Sequence, residues 1–402
     1  MEAARLDAYR AVAPQGAVET LWRLAERVRG RTLVHVNSTR FGGGVAEMLH
    51  RYVPLLEELG VRTRWEVISG PEEFFRVTKS LHNALQGQEQ PLPDALLRTY
   101  VEVNRENASR LDLEADVVLV HDPQPLALVD FVERSGRWVW RCHIDVSHPQ
   151  RRAWGFLRPF VVKYDAAIFS LEKFAQRLPI PQYLIHPSID PLSEKNRELS
   201  EDEVDAVLTR LGIPRDKPIL LQVSRFDRFK DPVGVIQAYR MVKRHEDCRL
   251  VLAGGTADDD PEGAQVLAEV MEAAEGDPEI HVLVLPPTAD HEINALQRAA
   301  TVVIQKSLRE GFGLTVTEGM WKGKPVIGGF AGGITAQIIY GVTGYTVNSV
   351  EGLAFRIRYL LNNPDLARQM GENAREHVRQ NFLIVRDLAD HLALVSTLLG
   401  LT

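Results

Sequence analysis

Two glutamates in the last third of the chain could bind a polar ligand. Glu310 follows an apolar, β-branched run over 302–305, and Glu318 lies on the second turn of a helix that should begin at Leu314. A strand, a loop and a helix in this order are typical of parallel α/β proteins. Ligands of such proteins bind beyond the carboxyl ends of the strands, where Glu310 should lie. By spacing alone, however, a glutamate pair is more often ordinary surface charge.

Two cations follow another predicted strand, over 218–223. Arg225 and Lys230 lie in the loop between this strand and a helix that should start near Pro232. Arginine can hold a diphosphate through its planar fork, and lysine can hold it as a point charge. Both can also stabilise charge that develops on a departing phosphate. Taken alone, the spacing is again more typical of surface charge, so the pair is a candidate phosphate site only in context.

Polar side chains also follow two predicted strands of the amino-terminal half. The residues are His121, Asp122 and Gln124 after the strand over 116–121, and His143 and Asp145 after the strand that begins at Trp138. The carboxyl end of a buried strand is where α/β proteins place groups that contact sugars. A turn closed by a hydrogen-bonded aspartate explains the first group equally well.

A run of three glycines, Gly42, Gly43 and Gly44, separates the first predicted strand, 31–37, from a helix over about 45–59. Such a run lets the backbone approach a ligand and directs N–H groups towards it. The spacing is not that of a dinucleotide fingerprint, and no acidic residue follows at the expected place. A tight turn explains the pattern about as well as a phosphate or sugar contact.

The string GFGLTVTEGMWKGKPVI, which follows Glu310, is similar to the donor-binding signature of the retaining GT-B glycosyltransferases of family 4. This large family includes enzymes that make sucrose, glycogen and trehalose. The resemblance implies that Glu310 contacts the transferred sugar and that Glu318 contacts the ribose of the nucleotide. It also implies that Arg225 and Lys230 form the family's phosphate pair, although Asp231 stands where the family often has glycine.

The resemblance implies further site residues. His143 should hydrogen-bond a hydroxyl of the transferred sugar and, with Arg225, Lys230 and Glu310, form the catalytic group. The expected donor-binding residues beside Glu318 are Gly311, Phe312, Gly313, Leu314, Gly43 and Gly44. The expected acceptor-binding residues are His121, Asp122, Gln124 and Asp145.

The strings HVNSTRFGGGVAE, HDPQP and WRCHID are most similar to members that make trehalose directly from a nucleoside-diphosphate glucose and glucose. The resemblance therefore implies retaining glucosyl transfer between UDP- or ADP-glucose and glucose, with trehalose as the product or, in reverse, as the substrate. Three alternatives stay open: a trehalose phosphorylase of the same fold, a nucleotide-sugar epimerase, and a non-catalytic nucleotide-sugar-binding protein.

Composition narrows the class of protein. The net charge of −7 argues against general nucleic-acid binding. No apolar run among the 402 residues is long enough to span a membrane, and MEAARLDAYR at the start carries no signal-peptide h-region, so we expect neither a membrane span nor a signal peptide. Cys142 and Cys248 are far apart, which fits a reduced, cytoplasmic compartment. The acidic run Asp258–Asp260 is more typical of a solvated loop than of a metal site. We therefore expect no metal site and no required cofactor, with Mg2+ at most as an activator.

The chain is long enough for two domains. We predict an α/β protein of the GT-B type, with two Rossmann-like domains facing a central cleft. The predicted parts are an acceptor domain over 1–190, a donor domain over 191–380 that is helical over 351–380, and a final helix over 381–402 that packs back on the first domain. A homodimer is compatible with the sequence.

Overall fold

The computed structural model describes residues 5–41, 43–255 and 261–401. The chain divides into two compact units. The first comprises Met1–Pro187 together with Val385–Thr402, and the second comprises Ser188–Ile384. The division thus falls at Pro187, where the sequence predicted a boundary near residue 190, and the final segment joins the first unit from Val385, where the sequence predicted residue 381.

The first unit is built on a six-stranded parallel sheet in the order β2-β1-β3-β4-β5-β6. Its strands are β1 Thr32–Asn37, β2 Arg62–Val67, β3 Val117–His121, β4 Arg137–Cys142, β5 Ala166–Phe169 and β6 Gln182–Leu184. Its helices are α1 Ala17–Val28, α2 Gly44–Glu58, α3 Glu72–Leu85, α4 Asp94–Ala108, α5 Arg151–Val161 and the carboxyl-terminal α14 Ile384–Leu398.

The second unit contains another six-stranded parallel sheet, in the order β12-β11-β10-β7-β8-β9. Its strands are β7 Ile219–Val223, β8 Arg249–Gly254, β9 Ile280–Val284, β10 Val302–Gln305, β11 Val326–Gly329 and β12 Gly344–Val347. Its helices are α6 Glu201–Leu211, α7 Pro232–Lys243, α8 Pro261–Ala274, α9 Asp290–Ala299, α10 Leu314–Trp321, α11 Ile334–Gln337, α12 Val350–Leu361 and α13 Pro364–Asn381.

The central strands are buried along their whole length because helices cover both faces of each sheet. Every residue of β3, β7 and β10 is buried, and their sequences VVLVH, ILLQV and VVIQ are almost continuously apolar. Such runs are typical of parallel strands, which lack a solvent-facing side. The polar residues that they do contain, among them His121, therefore lie at the carboxyl ends, where the loops begin.

Several elements differ from the sequence-based expectations. The helix α4 and the short strand β6 were not predicted, and the segment predicted as helical over 351–380 consists of two helices. The break falls at Asn363 and Pro364, with Pro364 in the first turn of α13. Proline disfavours a helical conformation in the residue before it, so α12 ends and α13 begins there.

The carboxyl-terminal helix α14 packs on the first unit. Its His391 ring lies edge-on to Tyr52 of α2, with ring centroids 5.6 Å apart. Arg386 Nη2 donates to the carbonyl of His186 at 2.8 Å. In the part of the chain that the structure describes, neither this helix nor any other combines the length and apolarity that a membrane span requires.

Candidate functional site

An ion pair joins two loops at the carboxyl edge of the second sheet. Lys230 closes the turn after β7, Glu310 lies in the loop after β10, and these two strands are neighbours. Lys230 Nζ is 2.5 Å from Glu310 Oε2, and the Ser307 hydroxyl donates to the same oxygen at 2.9 Å. The two side chains are only 18% and 10% exposed. Glu310 is therefore a fixed carboxylate that accepts from two donors, and Lys230 is a fixed cation beside it.

The turn that carries Lys230 depends on Asp231. This residue adopts the left-handed conformation, with φ 49°, that explains why glycine is frequent here in the resembled family. Its carboxylate accepts from the amide of Gly234 at 3.2 Å, which caps α7, and forms an ion pair with the buried Lys306. Gln222 Nε2 donates to the carbonyl of Lys230 at 2.8 Å. The departure from glycine thus preserves the turn and adds a cap and an ion pair.

The loop that carries Glu310 packs against the glycine-rich segment after β11. Gly332 has φ 46°, and a Cβ atom there would lie 1.4 Å from the carbonyl oxygen of Glu310. Gly313, with φ 84°, makes a much milder contact, since its Cβ would lie 3.1 Å from the side-chain atom Cγ of Glu310. The backbone of Glu310 can therefore take this position only because residue 332 is a glycine.

Glu318 is buried on the second turn of α10 and is 5% exposed. Gln297 Nε2 donates to its Oε2 at 3.1 Å. The neighbouring Lys322 amine donates to Asn196 Oδ1 at 2.5 Å and to the carbonyl of Lys195 at 2.8 Å. Burial lowers the pKa of Lys322 to about 7, and the Glu318 carboxylate opposes that shift. Glu318 is thus held in place from the protein interior.

The other predicted donor residues differ in accessibility. The Arg225 side chain is 63% exposed, and its guanidinium lies 3.3 Å from Asp227 Oδ2. The Phe312 ring is buried edge-on against Phe382, with centroids 5.7 Å apart, so a ligand could contact Phe312 only through its backbone. Gly311, Gly313 and Leu314 are partly exposed, at the amino-terminal end of α10.

In the first unit, three histidines form a row across neighbouring strands. His35 Nδ1 lies 2.9 Å from His121 Nε2, and His121 Nδ1 lies 2.9 Å from His143 Nε2. His121 is 1% exposed and both of its ring nitrogens are occupied, whereas His143 is partly exposed. The contact between His121 and an acceptor sugar stays a prediction, and it would require one of these two ring hydrogen bonds to be exchanged for a bond to the sugar.

Asp122 closes a turn that fixes the position of His143. Its φ is 62°, its Oδ1 accepts from the amide of His143 at 2.8 Å, and its carbonyl accepts from Trp140 Nε1 at 3.0 Å. Burial raises the pKa of Asp122 to about 6, while the hydrogen bond from the His143 backbone opposes that shift. The structure thus contains the turn with a hydrogen-bonded aspartate, and a contact of this segment with an acceptor sugar stays a prediction.

The remaining predicted residues of the first unit lie in loops. Gln124 Oε1 is buried and has no hydrogen-bond partner among the described residues. Asp145 Oδ1 accepts from both the amide and the hydroxyl of Ser147, at 2.9 and 2.5 Å, while the residue stays partly exposed. Gly43 and Gly44 are exposed where α2 begins, and Gly43 has φ 86°. The predicted Gly42 and the acidic run Asp258–Asp260 lie outside the described residues.

Sequence reasoning missed several residues of these networks, among them Ser307, Lys306 and His35. His35 had a detectable signal, since it is a polar residue inside the apolar strand TLVHVN. Ser307 and Lys306 lie directly after β10 and had no signal beyond that position. Within residues 5–41, 43–255 and 261–401, no group of three or more acidic, histidine or cysteine side chains is arranged to hold a metal ion.

Comparisons with known proteins agree with this architecture. Residues 35–176 match the family model of the trehalose synthase amino-terminal domain, and residues 205–377 match that of glycosyl transferases group 1. The chain is 47% identical to a trehalose synthase from Pyrococcus horikoshii, over 98% of this chain and 97% of that protein. It is 28% identical to a trehalose phosphorylase from Pleurotus pulmonarius, over 93% of this chain but 58% of that protein.

Two solved structures show the fold. A UDP-forming α,α-trehalose-phosphate synthase from Burkholderia vietnamiensis superposes with a TM-score of 0.73 at 15% identity, over 92% of this chain and 98% of the other. Sucrose-phosphate synthase from Thermosynechococcus elongatus superposes with a TM-score of 0.72 at 19% identity, over 92% of this chain and 100% of the other. The fold is therefore GT-B. Full-length identity near one half, together with both family matches, shows that the chain belongs to the trehalose synthase family and is a trehalose-metabolising glycosyltransferase.

Proposed function

We propose that this enzyme transfers glucose, with retention of configuration, from a nucleoside-diphosphate glucose to free glucose, and so makes α,α-trehalose. The observation that carries the proposal is the Lys230–Glu310 pair at the carboxyl edge of the second sheet. It places a cation suited to a phosphate directly beside a carboxylate suited to sugar hydroxyls. In a nucleotide sugar, the leaving diphosphate needs such a cation, and the hydroxyls of the transferred sugar need such a carboxylate.

The second unit would bind the donor. Lys230 and the exposed Arg225 would neutralise the diphosphate as it departs, and this lowers the barrier to breaking the anomeric bond. The free amides at the start of α10, near Gly313, would add to the binding of an anion. Glu318, held by Gln297, would accept hydrogen bonds from the ribose.

In the reaction, the bond between the anomeric carbon and the phosphate oxygen breaks through an oxocarbenium-like state. The acceptor hydroxyl attacks from the face that the diphosphate leaves, and its proton passes to the leaving phosphate oxygen. A bond of the same configuration replaces the one that is lost. His143 would orient the sugar through a hydroxyl, and Asp145 and Gln124 would contribute to acceptor binding.

The two carboxylates do not fit a hydrolase. Glycosidases need an acid and a nucleophile or base that flank one bond. Glu310 is already bound by Lys230 and Ser307, and Glu318 is 5% exposed and bound by Gln297. Both would serve the donor side, which supports binding roles for them rather than the paired-acid scheme.

The test is to incubate the purified protein with UDP-glucose or ADP-glucose and free glucose and to identify the product by NMR. An α,α-linked disaccharide formed together with free nucleoside diphosphate is expected. Release of the nucleotide without that disaccharide would overturn the acceptor assignment. Transfer should persist in EDTA, with Mg2+ at most raising the rate, since we propose no required metal.

A second incubation separates this function from that of a phosphorylase, the activity named for the Pleurotus relative. Trehalose and inorganic phosphate are supplied without nucleotide, and glucose phosphate is measured. We expect none, because Glu318 would have no ribose to bind in that reaction. Phosphorolysis faster than transfer from the nucleotide sugars would replace the proposed reaction.

A further inference from the structure

The row of histidines in the first unit begins in the protein core and ends at a partly exposed ring. His35 lies within β1, His121 ends β3, and His143 follows β4, and these three strands are adjacent in the sheet. Successive rings lie edge to edge and nearly parallel, with centroids 5.2 Å apart and interplanar angles of 23° and 18°. Two hydrogen bonds of 2.9 Å between parallel rings make the row one connected unit.

All three rings are neutral imidazoles in their surroundings. Burial is the main cause in each case: it lowers the pKa of His35 to about 3 and the pKa values of His121 and His143 well below the ordinary 6.5. The charged and titratable groups that act on the row are Arg141 on β4, Tyr52 on α2, and Asp387 and His391 on α14. The positive charge of Arg141 opposes protonation of His121 and His143.

Neutrality couples the tautomers of the three rings. A neutral imidazole carries one N–H group, so a ring with both nitrogens hydrogen-bonded donates at one and accepts at the other. His121 is such a ring. If His35 donates at Nδ1, then His121 donates to His143 Nε2, and His143 must carry its hydrogen on Nδ1. If the direction is reversed, His143 Nδ1 is a bare acceptor and His35 carries its hydrogen on Nε2.

The surroundings of His35 favour the first alternative, in which each ring donates a hydrogen bond to the next one towards His143. His35 Nε2 is buried and has no hydrogen-bond partner within the described part of the chain. The reversed direction would put an N–H group there, and buried N–H groups without an acceptor are rare in native proteins. His143 Nδ1 likewise has no partner among the described residues, so the near end of the row is a ring nitrogen that a ligand can use.

We propose that His35 and His121 are positioning residues that fix the tautomer of His143, so that His143 presents its Nδ1–H as a hydrogen-bond donor to a sugar hydroxyl. That the ligand of His143 is a sugar rests on the proposed function, whereas the tautomer of His143 is a property of the protein alone. Asp122 holds the backbone of His143, and the row holds its ring. A core residue on β1 would in this way set the hydrogen-bonding role of the sugar-contacting side chain.

The direct test is the tautomeric state of the histidine rings in ligand-free protein labelled with 15N-histidine, measured by two-bond 1H–15N correlation. The signals of His143 are assigned by their absence in His143→Gln. We expect His143 to be protonated on Nδ1 in the wild type. In His35→Leu, we expect a mixed or Nε2-protonated ring. Protonation of wild-type His143 on Nε2 would overturn the proposal, and so would an unchanged tautomer in His35→Leu.

Kinetics test whether the tautomer matters to the reaction. His35→Leu should lower kcat about tenfold, the scale of one hydrogen bond. His35→Asn, whose side-chain amide can donate from near the position of Nδ1, should restore most of that loss. The matched control is Val36→Ala, a buried substitution on the same strand that should cost stability without changing tautomer or kcat.

The outcomes separate the two proposals. If no trehalose forms from any donor, the proposed function fails while the tautomer measurement still stands. If trehalose forms but His35→Leu and Val36→Ala lose activity equally, and His35→Asn restores nothing, His35 is only a core residue and the positioning role is refuted.

Discussion

Lys230 and Glu310, which are 80 residues apart in the chain, lie in direct contact through a 2.5 Å ion pair between Nζ and Oε2. The site thus contains the cation and the carboxylate as one unit. Because they restrain each other, a donor would meet two side chains that are fixed in advance. Preorganised charge of this kind is the usual source of large catalytic effects.

Replacing Lys230 with alanine should lower kcat by about two to three orders of magnitude, the scale of losing one preorganised charge. The reason is that the leaving diphosphate would lose its partly buried counter-charge. Steady-state turnover with saturating donor and glucose measures the effect. Lys243→Ala is the control, since that amine pairs with Asp247 on the surface of the same unit and should leave turnover unchanged. Normal activity of Lys230→Ala would remove the phosphate role.

Replacing Glu318 with glutamine should raise the KM for the nucleotide sugar about tenfold or more and leave kcat nearly unchanged, because ribose binding contributes equally in ground and transition states. Glutamine keeps the shape of the buried side chain. Alanine would instead leave the Gln297 amide without its acceptor and open a cavity, which would destabilise the fold. The KM for glucose serves as the internal control, and a loss confined to kcat would contradict the ribose assignment.

Replacing Gly332 with alanine should lower kcat/KM about a hundredfold, the scale expected when a reacting group is misplaced by about 1 Å. The new Cβ would overlap the carbonyl of Glu310, so this loop has to move. Gly212→Ala is the matched control. Gly212 also has a positive φ, of 70°, but a Cβ there meets nothing within 4 Å. Both variants should lose about 1–2 kcal/mol of stability from backbone strain, and equal activities in the two would refute the positioning of Glu310 by this glycine.

Replacing Asp122 with asparagine should remove a pH-dependent part of the stability. The folded-state pKa of Asp122 is raised to about 6 from an ordinary 3.8, so this carboxyl stabilises the fold when protonated. That contribution is complete below about pH 4 and is lost as the pH rises through 6, at a cost of at most about 3 kcal/mol. The free energy of unfolding of both proteins is measured by denaturant titration at several pH values from 4 to 8. As the pH rises, the variant should gain stability relative to the wild type. A constant difference across this range would contradict the shift.

Local patterns in the sequence predicted much of the fold. The order of strands, loops and helices in both units, and the glycine-rich loop beside Glu310, could be inferred because apolar runs and turn residues act over a few positions. Two elements escaped prediction for different reasons. The strand β6 has only three residues, too few for a pattern. The helix α4 does carry a helical pattern, since its buried Leu97, Tyr100 and Val103 recur every three residues, and the prediction overlooked it.

The sequence predicted where the residues of the candidate site lie along the chain, but not which of them contact each other. Resemblance located Glu310, Glu318, Arg225 and Lys230 after their strands. It did not indicate that Lys230 binds Glu310, or that Asp231 would preserve a glycine-type turn by capping α7 and pairing with Lys306.

The sequence by itself determined which residue types follow each strand, because that depends only on neighbours along the chain. Only the tertiary structure decided which of them touch. The order β12-β11-β10-β7-β8-β9 makes β7 and β10 adjacent, and β2-β1-β3-β4-β5-β6 makes β1, β3 and β4 adjacent. Side chains at the ends of adjacent parallel strands lie about 5 Å apart whatever their separation in sequence. That adjacency brings Lys230 to Glu310 and connects His35, through His121, to His143.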